Sequence, residues 1–161
     1  MQNFSLSHHL SCSPEDYWER SRGEDVAARV GEALEATVTP LGDDGVGGWQ
    51  VIYEKELPGI MKRALGVENF QYDLLVEPRG EGEDVVNWQV TTPFLSDRVD
   101  VKGSTEVVAE EGGGCARTVD AQVRVKLALM GKKMESRLAD RVQAFWEASA
   151  EAVAFAGGEE Q

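Results

Sequence analysis

Two cysteines, two histidines and no long apolar run leave this sequence little to offer several large classes of protein. Cys12 and Cys115 are too few and too isolated for a disulfide framework or a zinc site. His8 and His9 are neighbours, so on a strand they point to opposite faces and cannot chelate one metal together. His-x-x-x-His, Cys-His and Ser-His-Asp arrangements do not occur, and no metal is expected. No apolar stretch approaches the roughly 18 residues that a membrane span requires. The opening MQNFSLSHHL has no basic region followed by an apolar one, so no secretory leader is expected. Basic residues are scarce as well: 16 against 29 acids, a formal charge of -13. Phosphate backbones repel such a surface, which argues against nucleic acid as a partner. By itself the acid excess speaks only to solubility. Gly42, Gly45, Gly47 and Gly48 are turn residues without the strand-to-helix context of a phosphate loop, so no cofactor is expected. A reducing cytosol is the simplest setting for such a chain.

What the sequence does have is a change of period between Ala116 and Phe155. Val119, Ala121, Val123, Val125, Leu127 and Leu129 alternate with polar residues, as on a strand with one dry face. From Gly131 the apolar positions Met134, Leu138, Val142, Phe145, Ser149, Ala152 and Val153 recur at steps of three and four. A strand therefore runs with almost no loop into an amphipathic helix over Gly131 to Phe155, roughly 37 Å long. About six sizeable side chains on its stripe supply at most some 9 to 18 kcal/mol on burial, enough to dock it firmly on a sheet.

Upstream, Phe4, Leu6, His8 and Leu10 mark a first strand ending near Ser11. Ser13-Pro14-Glu15-Asp16 starts a helix carrying Tyr17 and Trp18: serine caps, proline fits the first turn, and acids suit the positive end of the dipole. Asp25 to Val30 forms a second short helix ending at Gly31. Alternation then places strands around Leu34 to Val38, Trp49 to Leu57, Tyr72 to Val76, Val86 to Thr92 and Val99 to Ala109, before the Val119 strand. Turns fall at Gly42-Asp43-Asp44-Gly45, Pro78 to Asp84 and Gly112-Gly113-Gly114. Short connections make this an antiparallel meander. Between two of its strands, Leu57, Ile60, Met61, Ala64 and Leu65 fall at helical spacing, with Lys62 and Arg63 opposite. The whole reads as one domain over residues 1–156 with a short polar tail, 157–161.

This order of strand, two short helices, about six to seven strands and a long final helix resembles the α+β helix-grip fold of the START-like (SRPBCC) superfamily. Its carriers are the strand with Ser13-Pro14-Glu15-Asp16-Tyr17-Trp18, the run from Val123 to Glu135, the segment Leu57-Pro58-Gly59, and Trp88. They look most like an uncharacterised branch, a domain-of-unknown-function family. The resemblance implies a curved sheet gripping one helix and a habit of enclosing ligands. It brings no catalytic signature.

One helix of about 10 Å diameter cannot fill a strongly curved sheet, so side chains or a ligand must occupy the remainder. Candidate cavity walls are Tyr53, Tyr72, Trp88 and Val90 on the sheet, facing Phe145, Trp146 and Ser149 on the helix. Each of these can equally be plain core. His8, on the dry parity, is either a hydrogen-bonded structural residue or a polar anchor. Glu54, Glu56, Asp73 and Glu77 read as a wet face. Ile60, Met61 and Leu65 form a lid or gate, and the 57–67 segment can touch a membrane surface. The leading function is binding or transport of a small hydrophobic ligand such as a lipid, sterol or polyketide-like compound. A cyclase or aromatase acting through His8 or Tyr53 is the second reading, and a protein-interaction module using the acidic face is the third.

Overall fold

Side-chain alternation does build the sheet. In the computed structural model, which describes residues 1–42 and 47–156, β1 (Gln2–Leu10) turns Asn3, Ser5, Ser7 and His9 outward and their neighbours inward. Asp43, Asp44 and Gly45 of the expected turn and the tail 157–161 lie outside the described residues. Ser13 then caps α1 (Pro14–Ser21), its hydroxyl accepting from the Asp16 amide at 3.2 Å, and the helix buries Tyr17. α2 (Glu24–Leu34) follows.

The second helix is longer than its sequence suggests. Gly31 does not end it, because its missing side chain serves packing: a Cβ there would stand 2.6 Å from the Ala36 carbonyl oxygen of the returning strand. Leu34 belongs to this helix, not to a strand. The left-handed turn falls on Glu35 (φ 54), and β2 (Ala36–Leu41) begins just after it.

Six strands then form the meander: β2, β3 (Gly48–Glu56), β4 (Asn69–Val76), β5 (Val85–Thr91), β6 (Val99–Ala109) and β7 (Cys115–Val125). All pair antiparallel in the order β1-β7-β6-β5-β4-β3-β2. The first strand thus lies beside the last, from Gln2 opposite Val123 to Leu10 opposite Cys115. A register shift between Ile52 and Glu56 bends β3, and the Asn69 amide donates to the Tyr53 carbonyl at 2.8 Å across it.

The last strand stops at Val125, four residues short of the expected Leu129. There the Val125 amide donates to the buried Glu135 carboxylate at 3.1 Å, and the Lys126 amide to the Arg98 carbonyl, turning the chain off the sheet. Leu129 ends up 98% exposed. The final helix, α4 (Gly131–Ala156), spans about 39 Å and buries every residue of its expected stripe against the concave face. This is the α+β helix-grip arrangement. Among the described residues no helix is long and apolar enough to cross a membrane.

Candidate functional site

Arg117 shares the inward parity of Val119, Ala121 and Val123 on β7, so strand geometry forces a guanidinium into the core, where it is 0% exposed. Its register partner on β1 is His8. Arg117 donates to Trp146 O at 2.6 Å, Ser149 Oγ at 2.8 Å, Tyr17 Oη at 3.1 Å and His8 Nδ1 at 3.1 Å. Ser149 in turn donates to Trp146 O at 2.8 Å. A guanidinium can only donate, so His8 Nδ1 is the acceptor and the ring is neutral with its proton on Nε2. Burial, reinforced by the Arg117 charge and opposed by Glu147, holds the His8 pKa below its usual value, which agrees. None of the four partners is a carboxylate. The charge rests on dipoles and on the faces of Tyr17 and Trp146, whose ring centres lie 5.6 and 5.5 Å from its central carbon.

Beside this network all four tryptophans of the chain converge on one cavity of about 320 Å³. Trp18 comes from α1, Trp49 from β3, Trp88 from β5 and Trp146 from α4, so four separate elements must assemble to form it. Trp88 and Trp146 pack at 5.2 Å between ring centres, and Trp49 meets Trp146 edge-on at 6.2 Å. Tyr17, Val76, Val86 and Thr105 also line the cavity, as do the charged Glu15, Glu19, Arg22 and Glu77. Gly48 lets β3 approach: its φ is +108, and a Cβ would stand 1.9 Å from the Leu74 carbonyl oxygen. At the mouth, Arg79 from the β4–β5 connection pairs with Glu15 of α1 at 2.8 Å and lies over the Trp18 ring at 5.3 Å.

The polar atoms of this wall are unbalanced. Trp18 Nε1, Trp88 Nε1, Trp146 Nε1 and Thr105 Oγ1 are buried with no hydrogen-bond partner. Three of the four can only donate, and a buried donor without an acceptor costs about 1–3 kcal/mol. A larger concavity of about 1090 Å³ lies on the outer face of the sheet, but exposed polar residues such as Asn3, Ser5, Asn87, Gln89 and Gln122 line it.

Of the residues expected to line a cavity, Trp88 and Trp146 do so here. Tyr53, Tyr72, Val90 and Phe145 are buried but sit outside that wall. Tyr53 and Tyr72 pack with Phe70 at 5.7 and 6.2 Å, Phe70 meets Phe94 at 5.7 Å, and Arg141 covers the Tyr53 ring at 4.4 Å. Burial raises both tyrosine pKa values, that of Tyr72 strongly, and the two hydroxyls interact with each other and with Arg141. Ser149 and His8 belong to the Arg117 network. Ile60, Met61 and Leu65 lie on α3 (Gly59–Leu65), between β3 and β4 at the opposite end of the sheet from the cavity mouth. Met61 and Leu65 pack against the core, while Ile60 is 73% exposed. Arg117, Trp18, Trp49 and Thr105 complete the site without having been singled out as its residues. For Arg117 the signal was its parity with Val119.

Cys12 and Cys115 are both buried, and burial together with the nearby Cys12 thiol pushes the Cys115 thiol up to about 11. At pH 8 only about a thousandth of such a thiol is thiolate. Ellman's reagent is therefore expected to leave Cys115 unreacted in the native protein and to titrate two thiols in denaturant. Fast reaction of two thiols in the folded state would contradict this burial.

A family described as "Protein of unknown function (DUF2505)" matches residues 5–155. No curated protein matches. Among solved structures, the Zhui aromatase/cyclase from Streptomyces sp. R1128 superposes with a TM-score of 0.62 at 13% identity, over 99% of this chain and 93% of that one. A START superfamily protein from Mycobacterium smegmatis gives 0.58 at 13%, over 94% and 96%. Norcoclaurine synthase from Thalictrum flavum gives 0.59 at 15%, over 98% and 87%. At these identities the likeness establishes a shared START/Bet v1-like fold.

Proposed function

The chain belongs to the DUF2505 family of proteins of unknown function, and from that premise we propose that it binds a small, largely apolar ligand in the cavity where its four tryptophans meet. The convergence of Trp18, Trp49, Trp88 and Trp146 carries this reading, because close packing normally leaves no such gap among large aromatic rings. About 320 Å³ stands at the low end of the ~300–1,000 Å³ usual for small-molecule sites. A compact ring-bearing molecule fits that space better than a long acyl chain. The unpartnered indole N–H groups favour one that carries oxygen acceptors. His8 and Tyr53 stand outside the cavity wall, Tyr17 within it is engaged by Arg117, and the acids that line it, Glu15, Glu19 and Glu77, are exposed, so binding is preferred over catalysis by a pocket histidine, tyrosine or acid.

The test uses 1-anilinonaphthalene-8-sulfonate as probe and reads tryptophan fluorescence and thermal stability together. Probe at about one hundred times its Kd is expected to add about 2.7 kcal/mol to stability and to quench the tryptophans. Thr105→Phe fills the cavity from its own wall, and is expected to abolish both responses while leaving the far-ultraviolet circular dichroism unchanged. If the filled variant binds the probe as well as the parent does, the site lies elsewhere.

A further inference from the structure

The sheet topology sorts charge and exposed apolar residues to one end of the molecule. Antiparallel pairing brings the β3–β4 connection with α3, the β5–β6 connection and the β7–α4 connection to the same end. Residues 54–68, 92–98 and 126–137, which carry these three connections, hold eight of the sixteen basic residues and five of the 29 acids, while Glu35 of the α2–β2 turn adds one further acid at the same end. The remaining 23 acids face eight bases, so a chain of net charge -13 still has one positive end.

The same end exposes large apolar side chains. Ile60 is 73%, Leu129 98% and Met130 44% exposed. Leu129 is the more telling because its strand parity would have placed it inward, and the chain leaves the sheet at Val125 before that can happen. Around these tips Arg63, Lys126, Lys132 and Lys133 are exposed, and among the described residues none has a carboxylate within 4 Å. Lys62 instead pairs with Glu56 at 2.9 Å and Glu68 at 3.6 Å, on either side of α3.

We propose that this end docks on an anionic lipid surface, with Ile60, Leu129 and Met130 entering the headgroup boundary and the surrounding lysines and arginine meeting the lipid charge. The apolar residues stand on two separate connections and form tips ringed by cations, the pattern that interfacial binding uses. A soft, negatively charged interface accommodates such tips, whereas a protein partner would need a matching cleft for each. The surface lies at the far end from the tryptophan cavity, so it stands whether or not that cavity takes a ligand.

Sedimentation of the full chain with vesicles tests it. Vesicles of equimolar phosphatidylcholine and phosphatidylglycerol are expected to pellet the protein at low salt, and pure phosphatidylcholine vesicles are not. The pair K132E/K133E is expected to weaken binding by on the order of tenfold or more, since each basic residue near such a surface contributes about fivefold. The pair I60D/L129D should weaken it comparably, and V108D, at the opposite end, should not. Circular dichroism checks that each variant is folded. No pelleting with anionic vesicles, or pelleting that V108D weakens as much as I60D/L129D does, overturns the proposal. Binding that depends on the lysines but not on Ile60 and Leu129 overturns the insertion it requires.

Discussion

Arg117→Ala is expected to lower the unfolding free energy by about 2–5 kcal/mol, read as a drop in the urea midpoint at unchanged slope. The substitution removes the donor on which His8 Nδ1 and Tyr17 Oη depend in the core and leaves an empty volume between Tyr17 and Trp146. Trp146 O loses less, because Ser149 still donates to it. Arg117→Met separates the two contributions. It refills most of the volume but supplies no donor, so its loss should be smaller than that of the alanine variant yet clearly measurable. A buried cation with no carboxylate partner is costly to desolvate, and an apolar replacement can sometimes be neutral. If Arg117→Met proves as stable as the parent, the network does not stabilise the fold and the guanidinium is retained for another reason. The network also clamps three elements at one point: β1 through His8, α1 through Tyr17, and α4 through Trp146 and Ser149. Loosening it should therefore loosen two walls of the tryptophan cavity, those built from α1 and α4.

The elements were legible where one local signal governs them. Period-two alternation marked the strands, Ser13 and Pro14 marked the start of α1, and the three-and-four spacing from Met134 to Val153 marked both the helix and its buried face. Boundaries failed where tertiary packing overrode that signal. Gly31 looks like a helix stop, yet its place is fixed by the close approach of Ala36, and Leu127 and Leu129 continue an alternation that the sheet abandons at Val125. The candidate site was less legible for a related reason. It needs to be known that β1 lies beside β7, a pairing between chain segments more than a hundred residues apart, before His8 can be set against Arg117. Parity alone turned Tyr53, Tyr72, Trp88 and Val90 inward, but the face of a sheet does not say which stretch of it is covered by the helix and which is left open. That depends on side-chain volumes: Phe70, Phe94 and Arg141 fill the space at Tyr53, whereas the Trp88 ring lies over Gly103 and the Leu74 backbone closes on Gly48.

Gly103→Val should be at least as damaging, at about 3 kcal/mol or more, and should also remove the response to the fluorescent probe. Gly103 lies in the middle of β6, opposite Ala121 on one side and Trp88 on the other. A Cβ there would come within 2.3 Å of the Asp120 carbonyl oxygen and 2.4 Å of Trp88 Cζ2. The first contact is with backbone in a central pair of strands and cannot be relieved by a rotamer. The second pushes the Trp88 indole off its seat, in the wall of the cavity and against Trp146. The two contributions separate in the double variant with Trp88→Leu, which vacates the ring but leaves the Asp120 contact. Stability should then recover only in part, and the tryptophan fluorescence response to the probe should stay lost. Full recovery in the double variant would mean that the backbone yields easily at this point, and that the seat of Trp88 is set by the ring alone rather than by the strand on which it rests.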